Sequence, residues 1–349
     1  VAIDPRVDIG HVHLKVADLE RAIGFYRDVL GFELQQTYGD QAAFLSAGGY
    51  HHHIGLNTWE SKDAPPPPRR STGLYHVAIR YPTRRALADA RMDAKDLDAI
   101  IMGTVTPDYP FPSSACVLED MLGARNVFSF DVGAACSGFL NALSVADSFI
   151  SMGKINNALV VGSDALSRLL NWKDRGTCIL FGDAAGAVVL GATENGSGVL
   201  STRLRTDGSY VKTLYVPAGG SLKPATAETV RRNEHTITMN GKEVFKIAVR
   251  SMEEISRQAL ADAGVEINQV SLVIPHQANR RIIVALAERL GIPLEQVVVN
   301  VDKYGNTSAA SIPVALDEAR RQGRIKPGDI VLLNAFGGGF TWGAAVVKF

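Results

Sequence analysis

The chain has little cysteine: Cys116, Cys136 and Cys178 are the three in 349 residues. Three cysteines in a chain this long make no disulfide framework, so a reducing compartment is expected. An excess of charge of either sign is also missing, since 36 Lys and Arg face 36 Asp and Glu. That balance argues against a nucleic-acid groove or a membrane-surface protein and leaves only local basic clusters for an acidic partner. No apolar run approaches the roughly 20 residues of a spanning helix, and the first residues lack the pattern of a signal peptide. The expectation is a soluble, cytoplasmic protein, with enough chain for one large domain or two medium ones.

What is present is unevenly spread. Six of the eight histidines, His11, His13, His51, His52, His53 and His76, precede residue 80, and only His235 and His276 follow. The run "APPPPRR" (residues 64–70) is a stiff, exposed spacer. Together they suggest more than one origin along the chain. Ahead of the spacer, "HVHLKVADLERAIGFYRDVLGFEL" begins as an alternating strand. It passes a capping Asp into a helix whose apolar residues Leu19, Ile23, Phe25, Tyr26 and Leu30 recur at three-to-four spacing, ended by Gly31. "GFELQQTYG", "QAAFLSAGG" and "HHHIGLNTW" follow as short strands, giving a βαβββ order.

"GHVHLKVADLERAIGFYRDVLGF" and "FLSAGGYHHHIGLNTW" resemble the vicinal oxygen chelate family of glyoxalases and extradiol dioxygenases. The resemblance implies two such modules around a metal, with one ligand from the first strand of each, here His11 and His76, and a carboxylate late in the second. "GLYHVAIRYPTRRALADA" looks like that second module's first strand and the start of its helix. Its remaining strands, and the Glu they would carry, have no counterpart downstream. Two imidazoles without the carboxylate make a poor iron site, so His11 and His76 read as remnants, with no metal or cofactor required.

From Leu97 onward, apolar strands alternate with helices: "LDAIIMGTV", "SSACVLEDML", "NVFSFDV", "SGFLNALSVADSFISMG", "NALVVGSDAL", "GDAAGAVVLGA". Continuously apolar strands between helices point to an α/β fold with a parallel or mixed sheet covered on both faces. There is an internal repeat. "QALADAGVEINQVSLVIPH" lies over "RALADARMDAKDLDAIIMGT", "ALAERLGIPLEQVVVNV" over "VLEDMLGARNVFSFDV", and "ALDEARRQGRIKPGDIVLLNAFGGG" over "SVADSFISMGKINNALVVGSD". With "GAACSGF", "HQAN" and "GNTSAAS", the region from about Ala86 to Phe349 resembles the ketoacyl-acyl carrier protein synthase III group of condensing enzymes. The implied fold is thiolase-like, a duplicated five-layered α-β-α-β-α unit, here lacking its usual N-terminal strand. The second half carries a whole helix, "FKIAVRSMEEISRQALADAG", before its repeat. The first half has only a chelate-type strand and helix start, so two partial folds join near the shared "ALADA". The expected division is residues 1–70 for the chelate-like module and linker, 71–90 for the junction, and 91–349 for the condensing domain. One way to fill the vacancy is for "GLYHVAIRY" to stand as a strand beside Ile100 to Gly103.

The residues suggest a nucleophilic enzyme. "FSFDVGAACSGFLNAL" reads as a strand, a tight turn of small residues, and a helix beginning at Cys136, whose positive end favours a thiolate. Cys116 and Cys178 sit mid-element and read as inert and buried. His276 in "SLVIPHQANRR" and Asn306 in "VVVNVDKYGNTSAAS" also lie at strand-to-helix junctions, where such sheets place their sites.

The resemblance implies that Cys136 takes an acyl group from a coenzyme A thioester. His276 and Asn306 would then stabilise the enolate formed when malonyl-acyl carrier protein loses carbon dioxide. The backbone N–H groups of Cys136 and Gly338 would form the oxyanion hole. It also implies substrate contacts at Arg175, Gly176, Asn279 and Phe336, with Phe111 reaching into the neighbouring subunit of a homodimer. Lys246, Arg280 and Arg281 would dock the acidic carrier protein. The family's adenine-clasping Arg and Trp belong to the missing N-terminal segment. The alternatives are an inactive fusion of two partial folds and a metal-dependent dioxygenase or glyoxalase. A papain-like Cys-His-Asn order fits neither the text around Cys136 nor the duplication.

Overall fold

The computed structural model describes residues 12–15, 18–29, 32–46, 54–58, 86–87, 90–193 and 196–349. The chain divides into two compact units, Val1–Pro82 and Thr83–Phe349. The first contains β1 (Val12–Lys15), α1 (Leu19–Gly24), β2 (Glu33–Tyr38), β3 (Ala42–Ser46) and β4 (Ile54–Asn57). The strand order is β1-β4-β3-β2, with β1 parallel to β4 and the other pairs antiparallel. Asp18 starts α1 by accepting the Arg21 backbone N–H at 3.0 Å, and Leu19 and Ile23 pack on Phe32, Leu45, Ile54 and Leu56. Phe25 departs from the expected apolar stripe and is half exposed, because the helix widens into a π turn over Phe25–Val29 and the stripe rotates with it. Leu30, Gly31, His11 and His76 lie outside the described residues.

The second unit runs β5 (Ala99–Gly103), α2 (Ser114–Leu122), β6 (Phe128–Val132), α3 (Gly138–Ser151), β7 (Asn157–Ala165), β8 (Asp183–Gly191) and β9 (Gly198–Thr206). It continues through β10 (Leu214–Tyr215), α4 (Ala227–Arg231), β11 (Thr238–Met239), α5 (Gly241–Asp262), β12 (Leu272–Pro275) and α6 (Arg280–Leu290). The last elements are α7 (Val301–Tyr304), α8 (Ser311–Arg321), β13 (Ile330–Gly337) and β14 (Thr341–Lys348). Two mixed sheets form, in the orders β6-β5-β7-β8 and β12-β13-β14-β9.

The two-residue alternation of each strand divides its side chains between layers. Ala99 and Ile101 of β5, with Val331 and Leu333 of β13, face a central cluster filled by Phe139, Leu140 and Leu143 of α3 and by Ile312 and Leu316 of α8. Ile100 and Met102 turn outward onto Leu118 and Leu122 of α2. Leu332 and Val346 turn outward onto Met252 and Ile255 of α5 and Ile283 and Leu286 of α6. The stack is therefore helix, sheet, helix pair, sheet, helix pair: the five layers the repeat implied. The repeat also holds at its punctuation. Helices α2 and α6 both end on a glycine in the left-handed region, Gly123 at φ 69° and Gly291 at φ 74°, where a side chain would be strained.

The halves differ at one edge. In the second sheet β9 lies antiparallel along β14. Among the described residues nothing lies along the outer edge of β8, the counterpart of β14, and β8 is half buried almost throughout whereas β14 is mostly buried. The expected ladder beside Ile100–Gly103 is corrected. Strand β5 is hydrogen-bonded on both sides, to β6 and to β7, and has no free edge for a further strand.

Candidate active site

Cys136 sits where β6 hands over to α3. The α-helix begins at Gly138, two residues later than expected, and Cys136 lies in a tight turn over Ala135–Ser137 that feeds it. Ala135 has φ 44°, a strained value for a residue with a side chain. The turn is held by close backbone approaches. A Cβ on Gly103, at the end of β5, would lie 2.4 Å from the Gly138 carbonyl carbon, and one on Gly337, at the end of β13, would lie 2.6 Å from the Cys136 backbone nitrogen. Gly337 therefore sets how near the end of β13 comes to the Cys136 turn. Gly337→Ala must displace that turn, and a displacement of about 1 Å costs on the order of a hundredfold in rate. The expected outcome is acyl transfer to Cys136 reduced about a hundredfold with an unchanged circular dichroism spectrum. Gly208→Ala, where a Cβ meets nothing within 4 Å, serves as the control that retains parental transfer.

The other two candidates meet Cys136 in one cavity of about 210 Å³, lined also by Gly176, Asn279 and Phe336 and walled by Leu180, Phe181, Leu214, Val244 and Met252. His276 follows β12 directly. Its backbone N–H donates to Asn334 O at 2.7 Å, and its ring Nδ1 lies 2.7 Å from Ser311 Oγ. The loop after it is tied down by Gln277, whose amide donates to Pro275 O and Val298 O and whose Oε1 accepts the Asn300 N–H. Asn306 precedes the turn Ser308–Ala310, and its Oδ1 accepts the Ser308 N–H at 2.9 Å. That bond orients the amide with Nδ2, a donor, left for other partners. Ser308, at φ 50°, is the second strained position at the site.

Burial governs the electrostatics. Cys136 is 7% exposed, and desolvation pushes its thiol up to about 12. The Ser308 hydroxyl, outside ordinary hydrogen-bond geometry, pulls the other way, while the negative charge of Asp164 adds to the rise. Desolvation thus works against the expected thiolate and favours a protonated Cys136. Burial likewise lowers the His276 imidazole to about 3, so it is neutral at physiological pH. Asp164, missed in the sequence, is completely buried. It accepts from Thr104 Oγ1, the Val105 N–H, Thr106 Oγ1 and the Ala309 N–H, and so ties the end of β7 to the loop after β5 and to the Ser308–Ala310 turn. Burial still raises its carboxyl.

The remaining sequence candidates are spread around this cavity. Asn279 caps α6 by accepting the Ile282 N–H at 3.0 Å. Arg175 is exposed on the turn closed by Asp174, which accepts the Gly176 N–H at 2.9 Å. Phe336 packs on Phe340 with ring centroids 4.7 Å apart. Gly338, just past the end of β13, comes close to the Leu214 carbonyl, which a Cβ would meet at 2.6 Å. Phe111 is 86% exposed and is not among the residues lining the cavity. Lys246 on α5 and Arg280 and Arg281 on α6 are exposed, with the Arg281 guanidinium 5.8 Å from the centre of the Phe245 ring. The other cysteines differ from expectation: Cys116 is exposed and Cys178 half-buried, because Cys116 lies on the outer face of α2.

A duplicated five-layered fold, with a cysteine at the head of a central helix, defines the thiolase-type class of condensing enzymes. Known proteins narrow the class. Residues 130–208 match the family described as 3-Oxoacyl-[acyl-carrier-protein (ACP)] synthase III, and residues 260–349 match its C-terminal part. Residues 8–111 match the Glyoxalase/Bleomycin resistance protein/Dioxygenase superfamily. The chain is 55% identical over 265 residues to the beta-ketoacyl-[acyl-carrier-protein] synthase III of Desulfitobacterium hafniense, covering 76% of this chain and 80% of that one. Among solved structures, the Aquifex aeolicus synthase III superposes with TM-score 0.71 at 50% identity, covering 76% of this chain and 82% of that one. The Thermus thermophilus synthase III superposes with TM-score 0.68 at 42% identity, covering 76% and 80%. The chain belongs to the beta-ketoacyl-[acyl-carrier-protein] synthase III family, and its N-terminal part carries the glyoxalase-type match, which runs on through β5.

Proposed function

We propose that the chain joins an acyl-coenzyme A primer to malonyl-acyl carrier protein through an acyl-Cys136 intermediate, with loss of carbon dioxide. The observation that carries this reading is the convergence of Cys136, His276 and Asn306 on one narrow, largely apolar cavity. In the first half-reaction the thiol exchanges with the coenzyme A thioester. The Cys136 S–H bond breaks, a new thioester forms, and the proton departs with the coenzyme A thiol. Because the exchange creates no net charge, a protonated resting cysteine is compatible with it. The backbone N–H groups of Cys136 and Gly338 hold the developing oxyanion.

In the second half-reaction the carbon–carbon bond to the malonyl carboxylate breaks and its electron pair enters an enolate. His276 and Asn306 donate hydrogen bonds to the enolate oxygen, and the carbanion attacks the acyl-Cys136 carbonyl; the carbon–sulfur bond then breaks, and the departing Cys136 sulfur takes a proton from solvent, restoring the thiol. A neutral imidazole and an amide whose oxygen is already engaged are both suited to donating. Arg175, Gly176, Asn279 and Phe336 line the path of the coenzyme's arm. Arg280 and Arg281 stand in the first turn of α6, where the helix dipole disfavours cations by about 0.3–1 kcal/mol. That local cost supports a functional use, docking of an acidic carrier protein together with Lys246. The exposed Phe111 fits a homodimer in which it enters the partner's acyl pocket. The reaction uses coenzyme A thioester as substrate and asks no cofactor of the chain.

The test is the intact mass of the purified chain after incubation with acetyl-coenzyme A, beside Cys136→Ser. The expected outcome is one acetyl group on the parent and none on the variant. A folded parent that takes no acetyl group, nor a longer primer, overturns the reading in favour of an inactive fusion, whose cause would lie in the replaced N-terminal segment.

A further inference from the structure

The first residue of α8 supplies what the neutral His276 needs to act in one direction only. His276 and Ser311 are 1% and 2% exposed, and their one contact is the 2.7 Å approach of Nδ1 to Oγ. A neutral imidazole carries its proton on one nitrogen, and the hydroxyl can either donate to Nδ1 or accept from it. If Ser311 accepted, its own proton would need a second acceptor. Among the described residues Ser311 Oγ has no hydrogen-bond partner other than His276. A buried hydroxyl proton left unpaired is disfavoured. If Ser311 donates, the hydroxyl proton and the Nδ1 lone pair are both satisfied, and the ring proton sits on Nε2. With Nδ1 engaged, Nε2 is the nitrogen left for the cavity. The start of α8 works in the same sense, because a helix N-terminus disfavours an imidazolium beside it.

We propose that Ser311 is a positioning residue that locks His276 in its Nε2–H form, making the imidazole a fixed hydrogen-bond donor to an enolate oxygen and removing it as a base for Cys136. The catalytic part of this rests on the proposed function; the tautomer itself does not. The test uses full-length protein labelled with ¹⁵N-histidine, with His276 assigned by its loss in His276→Asn. The parent should show a protonated Nε2 and an unprotonated Nδ1 across pH 6–8. Ser311→Ala should move intensity toward the Nδ1–H form and slow malonyl decarboxylation at least tenfold, with kcat falling and KM held, while acetyl transfer to Cys136 changes less than twofold. Ser311→Thr, which keeps the hydroxyl, should restore both the spectrum and the rate. A parent spectrum showing Nδ1–H overturns the proposal without any variant, so a poorly folding Ser311→Ala cannot shelter it. Decarboxylation unchanged in a folded Ser311→Ala overturns it as well. Absent acetyl transfer in the parent would instead count against the proposed function, with the tautomer still read from the spectrum.

Discussion

At pH 8 iodoacetamide should modify Cys136 about a thousandfold more slowly than an ordinary cysteine thiol, although the residue lines the cavity. The reagent attacks the thiolate. A thiol raised from its usual 9.0 to about 12 is ionised to about one part in ten thousand at pH 8, against roughly a tenth for the ordinary group. Peptide mapping after timed quenching separates Cys136 from Cys116, which is exposed and gives the internal clock. The Cys136 rate should climb tenfold per pH unit beyond pH 9. A Cys136 rate matching that of Cys116 at pH 8 would mean that burial does not raise the Cys136 thiol, and only a rate well above it would restore the thiolate reading. The distinction bears on mechanism. A resting thiolate would be consumed by any electrophile that reached it. On the proposed reaction a resting thiol would become nucleophilic only when a thioester carbonyl, held by backbone N–H groups, lets proton loss and attack proceed together.

Burial opposes the expected thiolate for a reason that applies to every local motif. The strand, small-residue turn and helix around Cys136 are contiguous in sequence, so their dipole could be inferred. The residues that desolvate the sulfur come from β13 and from the turn at Ser308–Ala310, some 170 to 200 positions away. Position along the chain was legible to the same degree. "HQAN" placed His276 at a strand end, directly after β12, but Asn306 follows the short helix α7 rather than a strand, because the apolar run before it makes only a single bridge, Val297 to Val273. The bond from Ser311 to Nδ1 was invisible, because nothing in the serine's neighbours announces that α8 begins under β12. Gly337 sat inside a quoted glycine run, but only the 2.6 Å approach to the Cys136 nitrogen distinguishes it from the glycines beside it. Asp164 ended an apolar strand, which is a signal in itself, since a buried carboxylate needs several donors. The misplaced ladder had another cause. Chain order suggested that a strand preceding β5 would lie beside it, whereas β6 and β7 take both its edges.

The same burial makes His276 a marker of acid stability, with the sign fixed by its direction of shift. Its folded-state value of about 3 lies below the ordinary 6.5. Between those values the unfolded chain binds a proton that the folded chain refuses, so stability rises with pH through this window, is complete above it and is lost as pH falls through it. The full span corresponds to about 5 kcal/mol, and the step from pH 7 to pH 5 to about 2 kcal/mol. Asp164 works in the opposite direction. Its raised carboxyl binds a proton more readily folded than unfolded, which favours the folded chain in acid, and other carboxylates titrate as well. A comparison removes both: urea unfolding of the parent and of His276→Asn, each at pH 7 and pH 5. The parent should lose about 2 kcal/mol more than the variant over that step, whatever their difference at pH 7. Equal losses would mean that His276 takes up its proton in the folded state near its ordinary value. An imidazole protonated there would be a cation beside the start of α8, and its donation to an enolate oxygen would be charge-assisted rather than that of a neutral donor held by Ser311.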